Sequence, residues 1–217
     1  MVDGHNDKVR ESMKTTIIGI SGGSGSGKSV IIKQLKDKFK AGKVAFISQD
    51  NYYKPRHTQK KDLNGVHNFD LPSSVDLEAF TNDVIKLKAG QEIIRQEYTF
   101  NNPKVSPGMI EIIPAPVIVV EGLFIFCHEP IWDLLDLRVF IHASDSQRLS
   151  RRILRDQMER NYPLEDVIYR YEHHVYPAFK AYIEPYYNQS DLIINNFSNY
   201  HTGLEVLEAY IRHLIAK

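Results

Sequence analysis

Apolar positions along the chain fall into short runs separated by longer amphipathic stretches. Thr15 to Ile20 (TTIIGI) is apolar and β-branched, Lys43 to Ser48 (KVAFIS) and Leu137 to Ile141 repeat the pattern, and Pro116 to Val120 (PVIVV) is the most apolar short run, read as a central strand. Uninterrupted runs of this length predict strands buried on both faces. Asp191 to Ile194 adds a last short strand, and two β candidates fall near Glu92–Phe100 and Met109–Ile113. Val30 to Lys40 places Ile31, Leu35 and Phe39 at helical spacing, Asp76 to Leu87 reads as a helix stopped by Gly90, and Gly203 to Ile215 as a closing amphipathic helix. Ser146 to Glu159 and Leu164 to Ile183 are longer helical stretches, and Pro177 should kink or break the second. Strands alternating with helices predict an α/β fold, a mostly parallel sheet with helices on both faces. Residues 1–13 read as a flexible tail ahead of one domain over 14–217.

Composition narrows the function. A chain of 217 residues, 42% hydrophobic and 25% charged, suits one globular domain that buries its core without disulfide or metal staples. Lys+Arg and Asp+Glu both total 27, so the chain lacks the positive excess of a nucleic-acid binder. Any phosphate binding must come from local placement of charge and backbone. The lone Cys127 excludes an intrachain disulfide and fits a reducing compartment. The first residues lack an apolar signal region, and no apolar run approaches the ~20 residues of a membrane helix. The expected setting is the cytoplasm.

The strongest chemical signal follows the first strand. Gly22-Gly23-Ser24-Gly25-Ser26-Gly27-Lys28-Ser29 matches G-x-x-x-x-G-K-[ST], with a strand before it and a helix after. Glycines let successive N–H groups turn inward around phosphate oxygens, and the helix N-terminus adds its dipole. Lys28 is expected to contact the β- and γ-phosphates of ATP, and the Ser29 hydroxyl to ligate Mg²⁺. No guanine-reading N-K-x-D occurs, which excludes a GTPase of that type. A small-molecule kinase needs three further parts: a base, a metal-holding acid and cations that close over the phosphates.

Each part has a candidate. Asp50 lies just past the second strand in SQDNYY, where it reads equally as a general base or as a turn-capping residue. Glu121 ends the PVIVV strand and matches the acid that holds Mg²⁺, with capping of the Gly122 loop as the alternative. Arg148, Arg151, Arg152 and Arg155 recur at i, i+3, i+4, i+7, with Arg160 beyond, so the four share one helical face. Such a stripe reads as a phosphate-closing lid over about 145–163, or as a solvated face paired with Asp145, Asp156 and Glu159. His173-His174, His128 and His142 lack metal-site spacing and read as solvated or capping residues. The Tyr162, Tyr169, Tyr171, Tyr176 and Tyr182 cluster reads as packing.

Taken together and in order, these segments resemble the uridine kinases within the phosphoribulokinase/uridine kinase family. GISGGSGSGKS at 19–29 is similar to the family's phosphate loop, SQDNYY at 48–53 to its catalytic segment, NFDLP at 68–72 to its sugar-binding segment and VVEGLF at 119–124 to its metal strand. RLSRRILRDQMER at 148–160 resembles its lid, and YPAFKAYIEP and SDLII its C-terminal part. The resemblance implies a P-loop NTPase fold, commonly a homotetramer, that uses ATP or GTP with Mg²⁺. It implies that Asp50 is the base toward a nucleoside 5′-hydroxyl and that Tyr53 lines the acceptor site. Asp70 and Arg152 would hold the ribose hydroxyls, Arg155 and Arg160 the transferring phosphate, and Tyr98 would lie by the base. Three positions depart from it: Pro103 stands in place of a base-contacting His, Tyr162 in place of a lid Arg, and Arg170 in place of a Gln that reads the pyrimidine edge. Asn195-Asn-Phe-Ser also replaces Pro-Arg-Gly. The expectation is therefore a nucleoside kinase whose base-reading contacts are changed. A kinase for another sugar- or nucleoside-like alcohol, and an ATP-binding regulatory module, stay open.

Overall fold

The computed structural model describes residues 15–99 and 106–216, so the expected tail at 1–13 and Pro103 lie outside the described residues. The chain runs β1 (Thr16–Ser21), α1 (Lys28–Lys38), β2 (Val44–Ser48), α2 (Leu77–Lys88), β3 (Ile93–Gln96), β4 (Met109–Ile112) and β5 (Val117–Glu121). It continues through α3 (Glu129–Trp132), β6 (Leu137–His142), α4 (Asp145–Arg160), α5 (Leu164–Arg170), α6 (Tyr176–Tyr182), β7 (Leu192–Asn195) and α7 (His201–Ile215).

Five strands form one sheet in the order β2-β5-β1-β6-β7, every neighbouring pair parallel. The PVIVV segment is thus an inner strand beside the central β1. Its run is continuous because both faces are covered. Ile118 and Val120 point toward α2, α3 and α6, meeting Phe80, Val84, Ile131 and Phe179. Val117 and Val119 point toward α1 and α7, meeting Ile31, Leu35, Leu204 and Leu207. Three layers result, as the strand–helix alternation predicts. Separately, β3 and β4 pair antiparallel, with Ile93 opposite Ile112.

Two expectations shift. Helix α1 begins at Lys28, two residues before Val30, because Lys28 and Ser29 of the glycine motif are themselves its first turn. The long stretch at 164–183 breaks before Pro177 rather than at it, through a π turn at Tyr171–Val175. There Tyr176 N–H donates to the Tyr171 carbonyl, five residues back. A proline ring collides with the carbonyl four residues earlier, and a widened turn moves that carbonyl away.

The strand order changes side at β1, with β5 and β2 on one flank and β6 and β7 on the other. The crevice at its carboxyl end is where an open parallel sheet receives ligands. Core packing holds this edge in place. Ile118 is fully buried on β5, so Ile118→Ala should lower unfolding free energy by about 2–5 kcal/mol. Urea denaturation with an unchanged m value checks it.

Candidate active site

The turn after β1 carries the glycine motif, and its glycines are required for two distinct reasons. Gly25 and Gly27 have φ of 80° and 101°, a region that strains side-chain-bearing residues. A Cβ on Gly25 would also stand 2.4 Å from the Arg148 carbonyl oxygen, and one on Gly27 2.3 Å from Asn196 Nδ2. The loop therefore sits directly against α4 and the segment after β7. Asn196 Nδ2 donates to the Ser26 carbonyl at 2.9 Å, and Arg151 Nη2 to the Asn196 carbonyl at 3.0 Å. Lys28 Nζ reaches back to the Gly22 carbonyl at 3.1 Å, while Ser29 lies exposed on the first turn of α1.

Asp50 and Glu121 meet this loop from the neighbouring strands. Register places Glu121 of β5 opposite both Ile20 of β1 and Ser48 of β2. The Ser48 hydroxyl donates to Glu121 Oε1 and accepts from the Asp50 N–H at 3.2 Å. Desolvation raises the Asp50 carboxyl above its ordinary pKa, opposed by Lys28, Arg160 and Arg155. Glu121 is raised by desolvation and then by the Asp50 charge. Lys28 is lowered by desolvation, against the attraction of Glu121 and Asp50. A cation and two carboxylates thus share one crowded corner.

Helix α4 brings its arginines to the same corner, though not all in one role. Ser144 and Gln147 form a reciprocal capping box at its start, and Asn161, at φ 54°, ends it in the left-handed region. Asp156 is only 1% exposed and gathers three guanidiniums: Arg155 Nε at 2.9 Å, Arg152 Nε at 3.2 Å and Arg160 Nη1 at 3.2 Å. Arg152 also donates to Ser24 Oγ at 2.9 Å and faces Asp70 at 3.9 Å. Arg148 departs from the stripe reading. Its guanidinium is 1% exposed, lies 3.5 Å over the Phe179 ring and pairs with Asp145 at 2.6 Å. It underpins the loop by packing, because α4 lies too close to the glycines for this side chain to be solvated.

The expected acceptor residues cluster beside Asp50. Tyr53 stacks at a tilt on Tyr98, centroids 5.1 Å apart, with Phe69 edge-on at 6.3 Å. Asn51 Oδ1 fixes the strip by accepting from the Tyr98 N–H at 3.0 Å. A cavity of about 360 Å³ opens between Asn51, Tyr53, Arg95 and Tyr98. Burial, then Asp50 and Asp70, push the Tyr53 phenol well above its usual pKa, so it stays neutral. Tyr162 and Arg170 instead pair with each other, the guanidinium 5.5 Å from the ring, and Arg170 Nη1 donates to the His67 carbonyl at 3.4 Å.

The donor set fits Mg²⁺ that arrives with a nucleotide. Among the described residues no group of three or more His, Cys, Asp or Glu could hold a metal alone. A hydroxyl and one or two carboxylates, completed by phosphate oxygens, is the usual Mg²⁺ arrangement. Burial raises both carboxyls, and a bound cation would favour their charged forms.

A family model described as Phosphoribulokinase / Uridine kinase family matches residues 17–203. The chain belongs to this family. A uridine kinase of Borrelia duttonii is 37% identical over 199 residues, 92% of this chain and 95% of that protein. Uridine-cytidine kinase B of Dictyostelium discoideum is 29% identical, covering 98% of this chain and 86% of its own. Among solved structures, D-glycerate 3-kinase from Cryptococcus neoformans aligns with a TM-score of 0.61 at 14% identity, covering 86% of this chain and 89% of its own. Phosphoribulokinase from Rhodobacter spheroides aligns at 0.57 and 19%, covering 87% and 74%. At such identities both show the shared fold.

This family member also holds features that motif reading passed over. His174 is neither solvated nor capping: it is 2% exposed and contacts Asp62 at 2.7 Å. Its signal was the buried spacing of Val167, Tyr171, His174 and Ala178. Ser48, Asn51 and Phe69 gave none, since each acts through geometry set elsewhere. Asp156 was noticed only as a surface counter-charge. Truncating it would strip the anion shared by Arg152, Arg155 and Arg160. Losing one partner of a buried ionic group typically costs 3–5 kcal/mol, and partial solvation of Arg155 and Arg160 favours the low end. Asp156→Ala should therefore destabilise by about 3 kcal/mol and speed amide exchange along residues 145–160, read by denaturation and hydrogen-exchange mass spectrometry.

Proposed function

We propose that this chain is an ATP-dependent kinase that transfers the γ-phosphoryl group to the 5′-hydroxyl of a nucleoside. The observation that carries the reading is the placement of Asp50 between the Lys28 corner and the Tyr53–Tyr98 pocket. The names of the full-length relatives support the nucleoside class.

In this reading the glycine-loop amides and Lys28 hold the ATP phosphates. Ser29 and Glu121 would hold the Mg²⁺ that accompanies the nucleotide, and the ion would supply charge neutralisation at the phosphates. Asp70 and Arg152 orient the ribose hydroxyls, and Tyr53 and Tyr98 lie along the acceptor. Asp50 accepts the proton as the 5′-oxygen bonds to the γ-phosphorus and the bridging bond to the β-phosphate breaks, so ADP leaves. Arg155 and Arg160 stabilise the charge spread over the moving phosphoryl group. Tyr162 and Arg170 line the outer rim.

Asp50→Asn keeps the shape and removes the base, so kcat should fall by roughly 10²–10⁴ with the KM for ATP little changed. Because the Asp50 pKa is raised, wild-type kcat should be lost on acidification at a pH above the ordinary carboxylate range. Activity is present above that pKa and disappears as pH falls through it, and the variant should lack this limb. A kcat within a few-fold of wild type would leave Asp50 a turn residue.

Turnover on ribosides and sugar alcohols, with products identified by mass, tests the acceptor. Expected are 5′-monophosphates of ribosides with little preference among bases, because Arg170 is engaged by His67 and Tyr162. A kcat/KM for uridine above ~10⁴ M⁻¹s⁻¹, the ordinary range for an enzyme on its own substrate, with clear preference over purine ribosides, would overturn the weak selectivity. Turnover of sugar alcohols alone would overturn the nucleoside class.

A further inference from the structure

Residues 60–68 form a small hairpin whose centre is one carboxylate. The Asp62 N–H donates to the Val66 carbonyl and the Gly65 N–H to the Asp62 carbonyl, both at 3.0 Å, with Lys61 bridged antiparallel to His67. Gly65, at φ 77°, permits the turn. Asp62 Oδ1 accepts from the Asn64 and Val66 N–H groups at 2.9 Å each. Its other oxygen leaves the hairpin. Oδ2 accepts from the Tyr169 hydroxyl at 2.7 Å and meets His174 Nε2 at 2.7 Å.

The protons in this cluster can be placed. Partial desolvation works to raise the Asp62 pKa, but hydrogen bonds from Tyr169, Val66, His174 and Asn64 outweigh it and hold the carboxyl well below its usual range. An ionised carboxylate only accepts, so His174 Nε2 carries the proton between them. Tyr169 gives its hydroxyl proton to Asp62 and accepts from Asn64 Nδ2 at 2.7 Å. His173 stacks on Tyr169, centroids 4.3 Å apart. Tyr169 and His174 are five residues apart, and the π turn between α5 and α6 rotates His174 toward the Tyr169 side.

We infer that Asp62, Tyr169 and His174 form a positioning clasp that sets the distance between Asp70 and Arg152 across the acceptor site. Two short connections carry its effect. On one side, Asn68 closes the hairpin by donating to the Lys60 carbonyl at 2.7 Å, and its Oδ1 receives the Asp70 N–H at 2.9 Å. On the other, Tyr171 Oη donates to the Asp145 carbonyl at 3.3 Å and the Tyr162 N–H to the Asp156 carbonyl at 3.1 Å, tying the turn and α5 to the helix that carries Arg152. Opening the clasp loosens Asp70 from Arg152, while Ser24 and Asp156 still anchor the guanidinium beside the glycine loop. The inference rests on the reading of Asp70 and Arg152 as acceptor residues.

Steady-state kinetics with uridine and Mg·ATP test it in Asp62→Asn, Tyr169→Phe, His174→Leu and Asp70→Asn. In the three clasp variants, losing one charge-assisted hydrogen bond should raise the uridine KM about tenfold, with kcat and the KM for ATP changed less than about threefold. His174→Gln, which restores a side-chain N–H, should recover part of the loss. Tyr169→Phe changes only a hydroxyl on a partly exposed ring and keeps the test open if Asp62→Asn fails to fold. An unchanged uridine KM in the folded clasp variants, with a raised one in Asp70→Asn, overturns the clasp and leaves the acceptor reading standing. Uridine and ATP KM rising together marks a purely structural role and also overturns it. An unchanged uridine KM in Asp70→Asn removes the acceptor reading itself.

Discussion

The contact on which the rest of the site depends is the approach of the α4 backbone to the glycine loop. With a would-be Cβ of Gly25 only 2.4 Å from the Arg148 carbonyl oxygen, nothing larger than glycine fits. This closeness lets Arg151 reach the Gly25 and Ser26 carbonyls and Arg152 the Ser24 hydroxyl. It also buries Arg148, whose charge is carried by one carboxylate and the face of Phe179. A helix of cations is thus pressed onto the loop, and guanidinium forks in that position suit phosphate oxygens.

Charge in the site is divided between two anchors. Asp156 holds Arg152, Arg155 and Arg160 together from within α4. On the strand side, burial raises both Asp50 and Glu121, the Asp50 charge raises Glu121 further, and Lys28 opposes both shifts. The first set gathers three cations on one carboxylate, the second two carboxylates around one cation.

Local spacing made some of this legible. The glycine motif, the buried PVIVV run and the i, i+3, i+4, i+7 arginines carry their meaning in short windows, and each lies where that spacing predicts. Arg148 shows where a window stops. Its place in the stripe was readable, but its burial on Phe179 depends on α6, more than thirty positions later. His174 was misread because histidine at a buried periodic position looks solvated until its partner is known, and Asp62 lies over a hundred residues earlier. The π turn escaped because proline signals a break without saying which side absorbs it. Contacts closed over long loops were the part that stayed hidden.

That long closure orders events during synthesis. Thr16 of β1 pairs with Val117 of β5, and Ile18 with Leu137 of β6. Of the five strands of this sheet, the one that carries the glycine loop is made before the others, yet its neighbours β5 and β6 follow only about a hundred residues later. Until then TTIIGI is an unpaired apolar edge, exposed in the way that favours association between nascent chains. The central strand of the finished sheet is therefore the one of its five that waits longest for a partner while the protein is being made.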